Sequence, residues 1–529
     1  MTLSYIWDTY AEGDYRTSLR LSIEALADHA GIDMLHIAGL SLMNLRRCDE
    51  GLALLKAAIT VRPQSPHMYV NAAYMAECTG QKQEAQHFAE AGLKDFPENP
   101  DLLLLQANSL VMQMRFEEAE PIYRHLLDTD PTHVQSMINL GNICRARDDF
   151  DEAERWFSQA EHLEPDFRDL IFARATMATQ RGEDQQAIDL LEQIADDVDA
   201  QFLLSLLYLA QGDYERGFRL YRSRSNAIWY KTGNFVHPLA PFDHWSEAKG
   251  KKVAVLSEGG FGDMLQFIRY IPQLAAVASE VTLYSPPCMA RLFHHLPTNV
   301  TVLQSFADYV PGMFDYVTTD LEMPYHFRST IDTIPNAIPY LFVPKKMIKR
   351  HRLPAPPRCP VPFLCHWPDC ECTSPQIKRV GLCWAGGEQD HLNQRNYDNR
   401  RSFDLSMYAP LGQVPNVQFV SLQLGQRSEQ TCEALPMLRP LDPSFDFLNT
   451  AAVIAQLDLV ISVDTAVAHL AAAIGKPVWL LSRYDACWRW TKNMEHSPWY
   501  PGVMRVFGQE RYRDWSRPIR QVTEALFAL

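Results

Sequence analysis

The residues with the clearest chemical potential follow two short apolar runs. After VAVL (Val253–Leu256) come Glu258, Gly259, Gly260, Phe261, Gly262 and Asp263. Glycines at Gly259, Gly260 and Gly262 let the backbone approach a sugar or phosphate closely, and Asp263 in the first turn of the next helix offers a carboxylate that can take a proton from a hydroxyl. A helix N-terminus favours an aspartate there on electrostatic grounds alone, so the capping reading stands beside the chemical one. The second set follows LDLVISV, where Asp464 and Thr465 open the helix AVAHLAAAIG. The first N–H groups of such a helix form an anion site. Thr465 has a hydroxyl to donate to a phosphate, and His469 lies one turn further along. As helix cap and as helix-face packing, both also have purely structural readings.

These sets need parallel sheets to hold them. KKVAVLSEGGFGDMLQFIRYIPQLA followed by VTLY (Val281–Tyr284) reads as strand, glycine turn, amphipathic helix and strand. A second region starts at RVGLCWAG (Arg379–Gly386), continues through VQFVSLQ (Val417–Gln423) and ends LDLVISVDTAVAHLAAAIGKPVWLLS. Two Rossmann-like doubly wound α/β domains are expected, at 251–350 and 376–529, with ligands at the carboxyl ends of their strands. Residues 225–250 are expected to be a linker. So is the 351–375 segment, or else an insertion, because it holds seven prolines (Pro354, Pro356, Pro357, Pro360, Pro362, Pro368, Pro375).

Residues 1–224 have a different period. Pro63, Pro97, Pro131 and Pro165 are spaced by 34 residues, and twelve positions before them stand Gly51, Ala85, Ala119 and Ala153. Another small residue, Gly39, Ala73, Ala107 or Gly141, lies one helix earlier. Each unit reads as a helix pair closed by proline, with small residues where the helices touch, and INLGNICRARDDFDEAERWFSQAEHLEP is the best copy. Counting weaker copies at both ends, about seven pairs are expected. The repeat-defining residues are packing residues; a partner would bind the concave face of the stack.

Composition narrows the function classes. Of 529 residues, 47% are hydrophobic and 21% charged, which excludes a disordered chain, and no apolar run reaches the roughly 18 residues of a membrane helix. Up to Arg224 there are 20 basic against 37 acidic residues, while the remainder is close to neutral. An acidic first half disfavours a nucleic-acid partner. Asp8 and Glu12 stand where a secretory signal would need a basic start and an apolar run, and the 11 cysteines are odd in number and scattered, so a cytoplasmic location is expected. No DxD pair follows Arg224, so no metal is expected at the sheets. The cluster Cys359, Cys365, His366, Cys370 and Cys372 has metal-ligand residue types but lacks the CxxC knuckles of structural zinc.

In the order SEGGFGDMLQFIRY, TDLEMPYHF, VGLCWAGG, NRRSF, FVSLQ, DLVISVDTAVAHLAAAIGKPVWLL and WRW, the chain resembles bacterial tetratricopeptide-repeat glycosyltransferases. Its second half is similar to ADP-heptose:lipopolysaccharide heptosyltransferases, and the layout is similar to O-GlcNAc transferase and flagellin glycosyltransferases. The resemblance implies a GT-B fold, an inverting transfer from a nucleotide-sugar without cofactor, and Asp263 as general base. For the donor it implies Gly259, Gly260, Gly262, Arg401, Ser402, Gln423, Asp464, Thr465, Ala466 and His469. It also implies a protein acceptor recruited by the repeats. Ala466 replaces the heptosyltransferase glycine, Cys487 an aspartate before WRW, and Asn449-Thr450-Ala451 a DTA run. The alternatives are a lipopolysaccharide or other glycan acceptor, and a catalytically inactive repeat scaffold.

Overall fold

The computed structural model describes residues 3–28, 31–45, 47–60, 65–79, 81–225, 242–305, 312–355, 377–387, 398–490 and 494–529. Pro63 and the cluster from Cys359 to Cys372 lie outside the described residues. The chain forms two compact bodies. Among the described residues, one lies within Met1–Met177 and Asp189–Ile194, and the other within Ala178–Ile188, Ala195–Arg224 and residues 242–529.

The repeat period becomes six helix pairs among the described residues: Leu3–Ala11 with Tyr15–Asp28, Ile32–Asn44 with Cys48–Ile59, His67–Cys78 with Lys82–Asp95, Pro100–Met112 with Phe116–Thr129, Val134–Ala146 with Phe150–Leu163, and Val198–Ala210 with Tyr214–Tyr221; two further helices, Arg168–Arg181 and Asp184–Glu192, lie in sequence between the last two pairs. Small residues stand where the helices of a pair meet. A Cβ on Gly141 would come 2.4 Å from the Phe157 ring, and one on Gly51 would come 2.7 Å from the carbonyl oxygen of Gly39. Phe157, Ala153 and Ala160 join Val134, Met137 and Ile138 in one core. Pro97, Pro131 and Pro165 each stand two residues past a helix end, where the missing N–H breaks no helical bond. Asn99 and Asp149 cap the helices that follow them, accepting from the N–H groups of Leu102 at 3.0 Å and Glu152 at 3.1 Å.

In the second body, strands β1 (Lys252–Leu256), β2 (Glu280–Tyr284), β3 (Val300–Leu303) and β4 (Tyr316–Thr319) form a parallel sheet ordered β3-β2-β1-β4. Strands β5 (Lys378–Cys383), β6 (Val417–Ser421), β7 (Met437–Leu438), β8 (Leu459–Val463), β9 (Val478–Ser482) and β10 (Met504–Gly508) form the other, also parallel, ordered β10-β9-β8-β5-β6-β7. All five residues of β8 are buried, as expected of a strand covered on both faces. Chain order reverses between β1 and β4 in the first sheet and between β5 and β8 in the second. At such reversals the loops leaving adjacent strands diverge and open a crevice for a ligand.

The last helix pair belongs to this body. Tyr214 stacks on Trp499 at 5.9 Å and its hydroxyl accepts from the indole N–H at 2.9 Å, while Trp488 lies edge-on to Phe218 at 5.7 Å. No helix among the described residues is long and apolar enough to cross a membrane.

Candidate functional site

The loop leaving β1 carries the first set of predicted residues. Asp263 sits in the first turn of the Phe261–Phe267 helix, and its Oδ2 accepts from the Gly260 N–H at 2.8 Å. It therefore caps its own helix. Its Oδ1 remains available to a second partner and is paired with the Arg489 guanidinium. A Cβ on Gly259 would come 2.6 Å from the Asp263 carboxylate, so glycine is what allows the turn to fold back onto the side chain. Gly262 faces the other way: a Cβ there would come 3.0 Å from the His469 ring and 3.8 Å from the Ala466 Cα. That contact brings the Asp263 turn against the helix Ala466–Ala473, which leaves β8.

Thr465 occupies the N-cap position of that helix with extended backbone, yet its side chain makes no capping bond. Its hydroxyl is 3.0 Å from the Ser462 hydroxyl and 3.7 Å from the Cys383 thiol. The helix's opening N–H groups are thus left without a side-chain cap, as an anion site requires. Arg401 donates to the Asp464 carbonyl at 2.8 Å and to the Asp398 carboxylate at 3.0 Å, which aims the guanidinium at this turn. Asp464 is buried. Burial alone would raise its pKa, but the guanidinium of Arg401, with those of Arg489 and Arg483, outweighs that and holds it below the usual carboxylate range.

His469 is 3% exposed, with Nδ1 2.8 Å from the Tyr500 hydroxyl and the ring 5.0 Å from Trp490. Burial, opposed by Asp464, pushes its pKa down to about 3, so it is neutral. Ser402 accepts from the Gly386 N–H at 3.0 Å. Gln423 braces the end of β5: its Oε1 accepts from the N–H groups of Trp384 (3.2 Å) and Ala385 (3.0 Å), and its Nε2 donates to the Ala385 carbonyl (3.1 Å). The structure brings Asp263, Gly262, Ala466 and His469 together, whereas Ser402 and Gln423 shape the neighbouring loop through the backbone. Asn449 and Thr450 lie on the Phe447–Ile454 helix and are tied to Asp446.

Several residues at the crevice were not among the candidates singled out in the sequence, although Asp320 and Glu322 fall within TDLEMPYHF and Arg489 within WRW. Asp320 and Glu322 leave β4, the neighbour of β1. Asp320 Oδ1 accepts from the Glu258 N–H at 3.0 Å, and its buried Oδ2 has no partner. Burial pushes this carboxyl up to about 7, with the negative charges of Glu258 and Asp263 adding to the effect. Glu258 and Glu322 share the buried Arg224, which donates to each at 2.6 Å. Arg489 completes the site. Its Nε donates to Gln266 at 2.7 Å, its Nη1 to the Cys487 sulfur at 3.2 Å and its Nη2 to Asp263. Asp320 follows the short strand YVTT and Arg489 a loop, so no long apolar run marks either. Among the described residues no group of three or more His, Cys, Asp or Glu is placed to hold a metal.

Comparison with known proteins matches two segments of the chain to known families. Residues 425–490, which include Asp464, Thr465, His469 and Arg489, match the model of glycosyltransferase family 9 (heptosyltransferase). Residues 38–100, 79–134 and 104–167 match the tetratricopeptide repeat. Protein FlbA of Caulobacter vibrioides is 26% identical over 459 residues, covering 79% of this chain and 72% of FlbA. The mitochondrial import receptor subunit TOM70 of Rattus norvegicus is 25% identical over 198 residues, covering 35% of this chain and 32% of that protein. Among solved structures, a tetratricopeptide repeat protein from Parabacteroides merdae aligns with a TM-score of 0.38 at 18% identity, covering 44% of this chain and 97% of that one.

Proposed function

For a chain that joins tetratricopeptide repeats to a family 9 glycosyltransferase segment, we propose transfer of a sugar from a nucleotide-sugar to a hydroxyl of a protein held by the repeats. The observation that supports this reading is the packing of the turn that carries Asp263, through Gly262, against the helix that opens at the uncapped Thr465. A base and an anion site on either side of one crevice are what the reaction needs.

Asp263 takes the proton of the acceptor hydroxyl as its oxygen bonds to the anomeric carbon. The bond from that carbon to the diphosphate oxygen breaks, and its electron pair leaves with the nucleoside diphosphate. Attack opposite the leaving group inverts the anomeric centre. The backbone N–H groups opening the Ala466–Ala473 helix and the Arg401 guanidinium hold the diphosphate charge, so the step proceeds without a metal. The repeats supply the acceptor, since tetratricopeptide arrays are protein-binding modules.

Asp263→Asn tests the assignment. The amide is nearly isosteric but takes no proton, and loss of a general base costs about 10²–10⁴-fold in rate. Turnover is followed as nucleoside diphosphate release and as the intact mass of the acceptor. Transfer by the variant within about threefold of wild type, well short of the loss a missing base gives, refutes the role of Asp263. A lipid or glycan product, with no protein modified, replaces the acceptor class.

A further inference from the structure

The mechanism above leaves Arg489 without a task, although its contacts place it between both halves of the site. The residue lies on the turn Trp488–Trp490, whose two indoles are buried and fix the backbone on either side. Its side chain is 11% exposed. A guanidinium has five N–H hydrogens, and among the described residues three are used, on Gln266, Cys487 and Asp263. Two remain for another acceptor. The next residue, Trp490, lies with its ring 5.0 Å from that of His469, on the helix that opens at Thr465, so the turn carrying Arg489 also packs on the β8 side of the site.

A buried guanidinium that pairs with the base and keeps N–H groups to spare can serve a second anion bound beside it. We propose that Arg489 divides its charge between the Asp263 carboxylate and the diphosphate of the donor, so that donor binding loosens the pair and frees Asp263 Oδ1 to accept the hydroxyl proton. The inference rests on the nucleotide-sugar reading of the site and assigns to Arg489 the coupling between its two halves. A structural staple between the sheets would use the same ion pair but would be indifferent to phosphate. Cys487 favours the sharing role, because a cysteine sulfur at 3.2 Å is a weaker acceptor for the guanidinium than a carboxylate there would be.

The test is a double-mutant cycle on the full chain: wild type, Asp263→Asn, Arg489→Gln and the double variant, each titrated calorimetrically with ADP, UDP, GDP and CDP. If Arg489 is shared, Asp263→Asn releases it and tightens nucleoside diphosphate binding by about three- to tenfold, a typical coupling for groups in contact. Arg489→Gln weakens binding, and in that background Asp263→Asn changes nothing. Equal tightening in both backgrounds would mean simple relief of repulsion between Asp263 and the anion, and would overturn the proposal. So would unchanged affinity in Arg489→Gln. If the Gln variant does not fold, Arg489→Lys runs the same cycle with a charge that lacks the planar fork and is expected to show a reduced coupling; an undiminished coupling overturns the proposal. Thr465→Val and Arg401→Ala separate the two levels of failure. Binding that weakens in those variants while the cycle stays flat removes only the Arg489 assignment. No binding of any of the four nucleotides to wild type removes the nucleotide-sugar reading itself, and the proposal with it.

Discussion

Replacing Arg224 by Met removes the cation on which two buried carboxylates depend. The Arg224 side chain is 2% exposed and those of Glu258 and Glu322 are 6% and 7% exposed. Met fills much of the same volume but offers neither carboxylate a donor, and removing one partner of a buried ion pair costs roughly 3–5 kcal/mol. Glu322 keeps Arg222 at 3.0 Å and Glu258 keeps the Thr319 hydroxyl at 2.5 Å. The lower end, about 3 kcal/mol, is therefore expected. With a urea dependence of about 3 kcal/mol per molar, the unfolding midpoint of the second body falls by roughly 1 M. Urea titration at pH 8, read by tryptophan fluorescence, should show the lowered midpoint. Adding Glu258→Gln should recover about 1–2 kcal/mol by removing one unpaired charge. An unchanged midpoint would contradict the dependence of the two carboxylates on Arg224.

Asp320, with its pKa raised to about 7 by burial, binds a proton in the folded chain that the unfolded chain releases near pH 4. Its contribution to stability is present below that unfolded value and is lost as pH rises through 7, so Asp320→Asn should gain on wild type in thermal melts between pH 5 and pH 8; a constant difference would contradict this. Gly141→Ala places a methyl 2.4 Å from the fully buried Phe157 ring. Overpacking of about 1–3 kcal/mol outweighs a helix-propensity gain of at most about 1 kcal/mol, and a stabilised variant in urea titration would show that the ring yields. A chain beginning at Ala195 retains Tyr214 and Arg224 and should fold and bind nucleoside diphosphate, whereas one beginning at Ala227 leaves Glu258 and Trp499 without those partners and should aggregate or melt early. Equal melting of the two in calorimetry would argue against a structural role for the last helix pair.

Much of this architecture is written in periodic signals. The 34-residue spacing of Pro97, Pro131 and Pro165 reflects one packing solution used repeatedly, and the apolar runs at Val253 and Leu459 mark strands covered on both faces. The turns at Asp263 and Thr465 were legible because each follows such a run. Asp320 and Arg489 stand within the quoted segments TDLEMPYHF and WRW, but no individual role could be read for them, since their surroundings come from strand order and from a turn distant in sequence. Sheet order is set by side chains that meet only after folding: that β4 lies beside β1 cannot be read from YVTT. The position of Tyr214 and Arg224 in the second body was hidden for the same reason. By period they are repeat residues, and only their contacts with Trp499, Glu258 and Glu322 assign them to the sheets.

The close approach of Gly141 to Phe157 has an evolutionary corollary. The space a ring occupies on one helix is the space a side chain has given up on the other, and the same bargain is struck differently at Gly39, whose absent Cβ leaves room for Leu55 at 3.0 Å. Positions sixteen apart along the repeat therefore share one allotment of volume. A substitution at Gly141 that is harmful alone should become tolerable once Phe157 has already been reduced to Leu, so drift between relatives is expected to pass through the two positions in a fixed order. Such paired histories would also show which helices still touch in relatives too distant for their repeats to be aligned.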